Sequence, residues 1–364
     1  MRPGMQCLLQ LLRGQTIERG IDDAEWEAAL ALAAEEHVLP SAAARLRQQQ
    51  ASISPAILDR VSVVERGAAV AAFYWSSELR GLLRAFDQEG LVAVPLKGPF
   101  FAERLYGSTA LRVSQDLDLL VPKAELVRAE AVLTAIGFIP GTPDDYHRQW
   151  YRGTTTVELH HDVENPLAYN FHVESALRQA RQTAFHGEHC WQLAPEDELL
   201  FLCLHAVRHR FERLSLVLDL TLAFEQLTVP GDEWRPRQEV AELTNLLILG
   251  LAMARRLRPE NNLAIPFPAS QESLQHLENL ADRLWDRLLT QSSEPLDWAA
   301  VHEFYLEIEL PGRQRLHCRW RHFNILIDRV IDRDYTFAAG LGFHRAWQVR
   351  LLRPVRLLND LIRH

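Results

Sequence analysis

Cysteine is scarce in this chain. Cys7, Cys190, Cys203 and Cys318 are the only four among 364 residues, and no two of them form a Cys-x-x-Cys pair. That scatter supports neither a disulfide framework nor a zinc ribbon. Lysine is scarcer still: Lys97 and Lys123 stand against thirty-seven arginines, the remainder of 39 basic residues. No stretch reaches the roughly 18 uninterrupted apolar residues that a membrane helix needs. The N-terminal apolar run, Cys7 to Leu12, is too short for a secretory core. Low-complexity tracts and repeat periods are missing, which excludes solenoids and long disordered tails. The expected location is the cytoplasm, with no membrane partner. What remains is ordinary for a soluble globular protein: 48% hydrophobic and 24% charged residues, in a chain long enough for two or three domains.

The net charge of −9 argues against sequence-independent binding along extended duplex nucleic acid. That charge is unevenly spread. From Pro311 to His364 there are eleven Arg and four Asp with no Lys or Glu, or +7, which leaves −9 − 7 = −16 for the rest. Such a region either holds a phosphate-bearing substrate or is a helical subdomain whose arginines meet water and the acidic body.

The first ninety residues read as helices. Asp22 and Asp23 are N-cap candidates before Ala24 to His37, and Ser54-Pro55 marks another start. Leu79, Leu82, Leu83 and Phe86 keep helical spacing up to a stop at Gly90. The pattern then changes. Leu91 to Leu96 is a strand candidate, broken by Lys97-Gly98-Pro99, and Phe100 to Tyr106 a short helix. Asp116 to Val121 is a strand with acidic residues at alternate positions, followed by a helix from Lys123 to Ile136. His147 to Arg152 and Thr154 to His160 form a hairpin meeting at Gly153. From Pro195 to about Leu227 the pattern is helical again. Pro230-Gly231 and Pro236 mark a linker, and further breaks fall near Pro266, Pro268, Pro295 and Pro311-Gly312. The expected architecture is α+β: helical residues 1–90, a small mixed-sheet core over 91–190, and a helical region over 191–364.

One segment carries chemistry. Residues two apart on a strand share a face, so Asp116 and Asp118 project together while Leu117 and Leu119 face the core. Two adjacent carboxylates repel each other, and a divalent cation such as Mg2+ (or Mn2+) removes that cost. A solvated edge strand with its polar face outward would show the same alternation. Some twenty residues upstream, a Gly-containing turn leads from a strand into a helix. Such a turn offers backbone N–H groups to phosphates, and Lys97 adds a point charge. On these grounds removing either aspartate should relieve repulsion once metal is absent.

Together these residues resemble a family of bacterial uncharacterised nucleotidyltransferases within the DNA-polymerase-β-like superfamily. The likeness rests on Leu96-Lys97-Gly98, Tyr106, Arg112 four residues before the first Asp, Asp116-x-Asp118-Leu-Leu-Val, Glu158-x-His160, and His205-x-x-x-His209 followed by Asp219. It spans roughly Asp22 to Leu227. The resemblance implies a polymerase-β-like core with Asp116, Asp118 and Glu158 as metal-binding catalytic carboxylates. Glu158 would bridge to a second metal or accept the acceptor's proton. It implies Lys97, Gly98, Arg112, His160, His205 and His209 as substrate- or phosphate-binding residues. Pro99 departs from the superfamily's Ser or Gly, and its missing N–H removes one phosphate contact. For His160 an ordinary partnership with Asp162 stays open, and for His205 and His209 a structural pairing against Asp219. Tyr106 reads as packing. The spacing of Arg181 and His186 matches a loose ribonuclease pattern that an Arg- and His-rich chain produces by chance.

The expected activity is metal-dependent transfer of an NMP group from a nucleoside triphosphate such as ATP, with release of pyrophosphate. The acceptor is open between a small molecule, a protein side chain and an RNA end. The alternative is a non-catalytic nucleotide-binding or interaction module that keeps the fold.

Overall fold

The computed structural model describes residues 1–17, 20–49, 53–143, 146–163, 169, 171–227, 243–261, 263, 269–291, 298–309, 316, 318–320, 332–343, 345, 348–349 and 352–356. The breaks expected near Pro230, Pro236, Pro266, Pro268, Pro295 and Pro311 lie outside these residues, as does much of the Arg-rich C-terminal region.

The chain opens with α1 (Met5–Arg13), α2 (Asp23–Glu35), α3 (Leu39–Gln48) and α4 (Pro55–Gln88). Two starts are capped as their side chains allow: Asp22 accepts the Glu25 N–H at 2.8 Å, and Ser54 accepts that of Ile57 at 3.3 Å. Helix α2 ends short of the expected His37, which takes a left-handed φ of 58°. Gly90, at φ 63°, supplies the left-handed residue just past α4, where the Leu91 N–H returns to the Phe86 carbonyl at 3.0 Å.

Five strands form a mixed sheet in the order β1-β2-β5-β4-β3: β1 (Val94–Pro95), β2 (Leu117–Leu120), β3 (Ile139–Pro143), β4 (His147–Arg152) and β5 (Thr155–His160). Among the described residues, the β2–β5 pairing alone is parallel. The strand expected over Leu91 to Leu96 shrinks to two residues, because Pro95 has no N–H to add to a ladder. Helix α5 (Gly98–Tyr106) follows β1, and α6 (Leu126–Ala135) follows β2. The helix expected from Lys123 begins instead as a short 3-10 turn, Lys123–Glu125.

Alternation along the strands decides what faces what. Leu117, Leu119, Val157 and Leu159 pack with Leu79, Leu82, Leu83 and Phe86 of α4 and with Ala129 and Leu133 of α6. Asp118 and Glu158, one position away, therefore belong to the opposite face of the sheet.

Helix α7 (Val173–Gln179) leads to a second hairpin of β6 (Arg181–Phe185) and β7 (Glu188–Gln192), which turns through His186 and Gly187. Both turn residues have positive φ, 48° and 87°, as the preferred two-residue hairpin turn requires. Arg181 and His186 are exposed on it. The helical run expected from Pro195 to Leu227 is two helices, α8 (Pro195–Arg208) and α9 (Leu214–Gln226), separated where Arg210 and Phe211 take φ of 49° and 52°. Helices α10 (Thr244–Leu257), α11 (Gln271–Thr290) and α12 (Trp298–Ile308) follow, and a further helix spans Asp332–Gly340. The result is the expected α+β arrangement, a mixed sheet between helical flanks. Among the described residues, no helix is long and apolar enough to cross a membrane.

Candidate active site

The parallel pairing of β2 with β5 sets Asp118 abreast of Glu158 and Leu120 abreast of His160. Asp118 is 2% exposed. Its Oδ1 lies 3.1 Å from His160 Nε2, which is also 3.4 Å from Glu158 Oε2. His160 Nδ1 faces the Asp162 carbonyl oxygen at 3.3 Å. Carboxylate and carbonyl are both acceptors, so both ring nitrogens must donate and His160 is an imidazolium. Its pKa fits: burial opposes the charge, but its hydrogen bonds to the Asp118 and Glu158 carboxylates raise it above the usual value. His160 thus serves both the site and Asp162. Glu158 also accepts from Gln149 Nε2 at 2.9 Å.

On the other flank of β2, Lys97 Nζ stands 3.1 Å from Asp118 Oδ2, a charge contact that leaves this buried oxygen without an aligned hydrogen bond. Lys97 is the N-cap residue of α5, and Gly98 takes the left-handed φ of 71° that the turn demands. Pro99 falls in the first helical turn, where a missing N–H costs no helical bond.

Asp116 precedes β2 and is partly exposed. Burial and the Asp118 charge push it up to about 6. Asp118 behaves oppositely: burial raises it, but Lys97 and His160 together hold it well below the usual carboxylate range. For Glu158 burial is again outweighed, by the His160 hydrogen bond, and the pKa is lowered to about 2. Among the described residues, the ligand atoms of Asp118, Glu158 and His160 all lie within 4.8 Å of one another, and Asp116 stands outside that cluster.

Residues 22–259 match the family model described as "Uncharacterised nucleotidyltransferase", 238 of 364 positions. The chain belongs to that family. It is therefore an enzyme that transfers nucleotidyl groups. No curated protein matches it. Two solved structures do, both of the antibiotic-resistance factor ANT(2'')-Ia. One is a solution structure, at 16% identity over 50% of this chain and 89% of that one, with a TM-score of 0.30. The other is a crystal structure with adenylyl-2''-tobramycin, at 14% identity over 58% and 98%, with a TM-score of 0.29. Likeness at that level carries no argument about this chain.

In this nucleotidyltransferase the remaining sequence candidates converge on one cavity of about 280 Å3 beside Asp116, walled by Lys97, Arg112, His205, His209 and Arg213 among others. The His205 and His209 rings meet edge to face at 4.7 Å. Burial first, and then Lys97 and the neighbouring arginines, lower His205 well below the usual histidine value; the same effects bring His209 to about 3. Both are neutral and outside the carboxylate cluster. Arg112 is engaged with Asp219, donating Nε–H at 2.9 Å and Nη2–H at 2.9 Å, while Tyr106 Oη donates to the same carboxylate at 2.5 Å. Asp219 thus takes Arg112 and Tyr106 as its partners, so Tyr106 does more than pack. Three residues were not site candidates in the sequence: Gln149, His37 and Arg213. Gln149 precedes Glu158 by nine positions on the same hairpin, a spacing that register alone would have exposed. His37 and Arg213 pair with each other from α2's end and α9's start, and no local pattern joins them.

Proposed function

We propose that this nucleotidyltransferase moves an NMP group from a nucleoside triphosphate, ATP included, to an acceptor, releasing pyrophosphate, with Mg2+ or Mn2+ held by Asp116, Asp118 and Glu158. The observation that carries this is the β2–β5 register. It sets Glu158 against Asp118, while β1 brings the Lys97-Gly98 turn to the same carboxylate from the other side. The donor set fits a hard divalent cation: carboxylate oxygens converge, and a buried Asp118 oxygen lacks a hydrogen bond. His160 is excluded as a ligand while it donates from both nitrogens.

A bound divalent cation would draw charge from the phosphates and favour an ionised acceptor oxygen. The protein's own groups do the rest. Lys97 and the α5 N-terminus offer positive charge to the triphosphate, and the neutral imidazoles of His205 and His209 offer N–H donors. Arg112 lines the same cavity while bonded to Asp219. An acceptor oxygen bonds to the α-phosphorus, the bond from that phosphorus to the β-phosphate oxygen breaks, pyrophosphate leaves, and the acceptor's proton passes to solvent water on the Glu158 side. With a pKa near 2, Glu158 is a weak proton acceptor and a good anionic ligand, which favours metal bridging over general-base work. His160 positions both carboxylates.

The acceptor is a small molecule, a protein side chain or an RNA end. Incubation with α-32P- and γ-32P-labelled NTPs and cell extract should place α-label alone in one of these fractions, and only with divalent cation present. Stable incorporation of γ-label would instead indicate phosphoryl transfer and overturn the reading.

A further inference from the structure

A second cavity, of about 380 Å3, adjoins the first, and the two share His37 and the run Arg112 to Gln115 as a common wall. Their chemistry differs. The first is polar and imidazole-rich, with Lys97, Arg112 and Arg213 set among Asp116, Glu212 and Asp219. The second is mostly apolar, bounded by Leu39, Val64, Ala68, Ala71, Trp75 and Pro99. Pro99 directly follows the Gly98 turn, so the apolar cavity begins where the proposed phosphate site ends. Glu158, the acceptor-side carboxylate, borders neither cavity. The sheet order explains why: β1 and β5 lie on opposite flanks of β2, and both cavities border the β1 flank, at Lys97 and Pro99.

Gly67 adds a separate observation. It sits inside the 34-residue helix α4, where glycine costs roughly 0.5–1 kcal/mol relative to alanine. No packing contact requires it, since a Cβ there would meet nothing within 4 Å, and it borders the apolar cavity. The residue that packing would not choose is one that leaves this cavity clear.

We infer that the apolar cavity holds the nucleoside of the triphosphate substrate, its base packed on Trp75, Pro99 and the small-residue face of α4. This rests on the reading above, which puts the phosphates in the adjoining cavity. With apolar packing and few polar groups around it, such a site discriminates weakly among bases and favours those with the larger stacking face.

The test compares binding of a non-hydrolysable ATP analogue with binding of inorganic tripolyphosphate, both with Mg2+. Gly67→Leu places a bulky side chain at the border of the cavity while improving helix propensity. Gly81→Leu, in the same helix but away from the cavity and equally free of close contacts, is the control. Gly67→Leu should weaken the nucleotide analogue by about tenfold or more and leave tripolyphosphate unchanged, and Gly81→Leu should alter neither. Trp75→Ala should weaken the nucleotide in the same selective way. Unchanged nucleotide affinity in Gly67→Leu, with tripolyphosphate still bound, would overturn the nucleoside assignment and leave the proposed function standing. So would normal nucleotide binding with lost transfer, which would make the cavity an acceptor site. Failure of the wild-type protein to bind either probe would overturn both readings.

Discussion

At the residue scale, the two aspartates of the Asp-x-Asp pair are not equivalent. The simple expectation that removing either charge relieves repulsion holds only for Asp116. Its folded pKa, about 6, lies above the unfolded value of 3.8, so the folded state binds the extra proton. Stability from that proton is present at low pH and is lost as pH rises through about 4 to 6. In EDTA, Asp116→Asn should match wild type near pH 4 and exceed it at pH 8, by on the order of 1–3 kcal/mol. Asp118 is depressed instead, so its contribution is present above the unfolded pKa and is lost as pH falls. Asp118→Asn strands Lys97 and His160 next to a neutral amide, and breaking such a buried pair costs about 3–5 kcal/mol. Urea unfolding of both variants at the two pH values checks the split. Equal stability of the two at pH 8 would contradict it.

At the element scale, the run leading into β2 is fixed from outside the sheet. Arg112 and Tyr106 both bind Asp219 of α9, so this helix anchors the segment that delivers Asp116. Asp219→Asn should cost about 3–5 kcal/mol, because it leaves a buried guanidinium with no counter-charge. A cost under about 1 kcal/mol in denaturant unfolding would show that the anchor is dispensable. The sequence carried the Tyr106, Arg112 and Asp219 signals separately. It did not carry their meeting, which needs contacts more than a hundred residues apart. The same holds for the sheet. The hairpin of β4 and β5 was legible because alternation and Gly153 are local, and so were the caps at Asp22 and Ser54. The parallel β2–β5 pairing was not, since no turn links those strands. The β6–β7 hairpin was missed because its turn residue is His186, an uncommon choice for positive φ.

At the scale of the whole molecule, three stretches separated in sequence meet on one face of the sheet: the turn after β1 and the neighbouring strands β2 and β5. The residue types at that meeting were readable from the chain. Their ionisation was not, because burial and the charges of Lys97 and His160 decide it. On the proposed function Glu158 serves transfer rather than nucleotide binding, which makes Glu158→Gln the decisive variant. Measured at pH 8 with Mg2+ under single turnover, it should bind NTP within about threefold of wild type and transfer NMP at least about 100-fold more slowly. Near-wild-type transfer by Glu158→Gln would contradict the account.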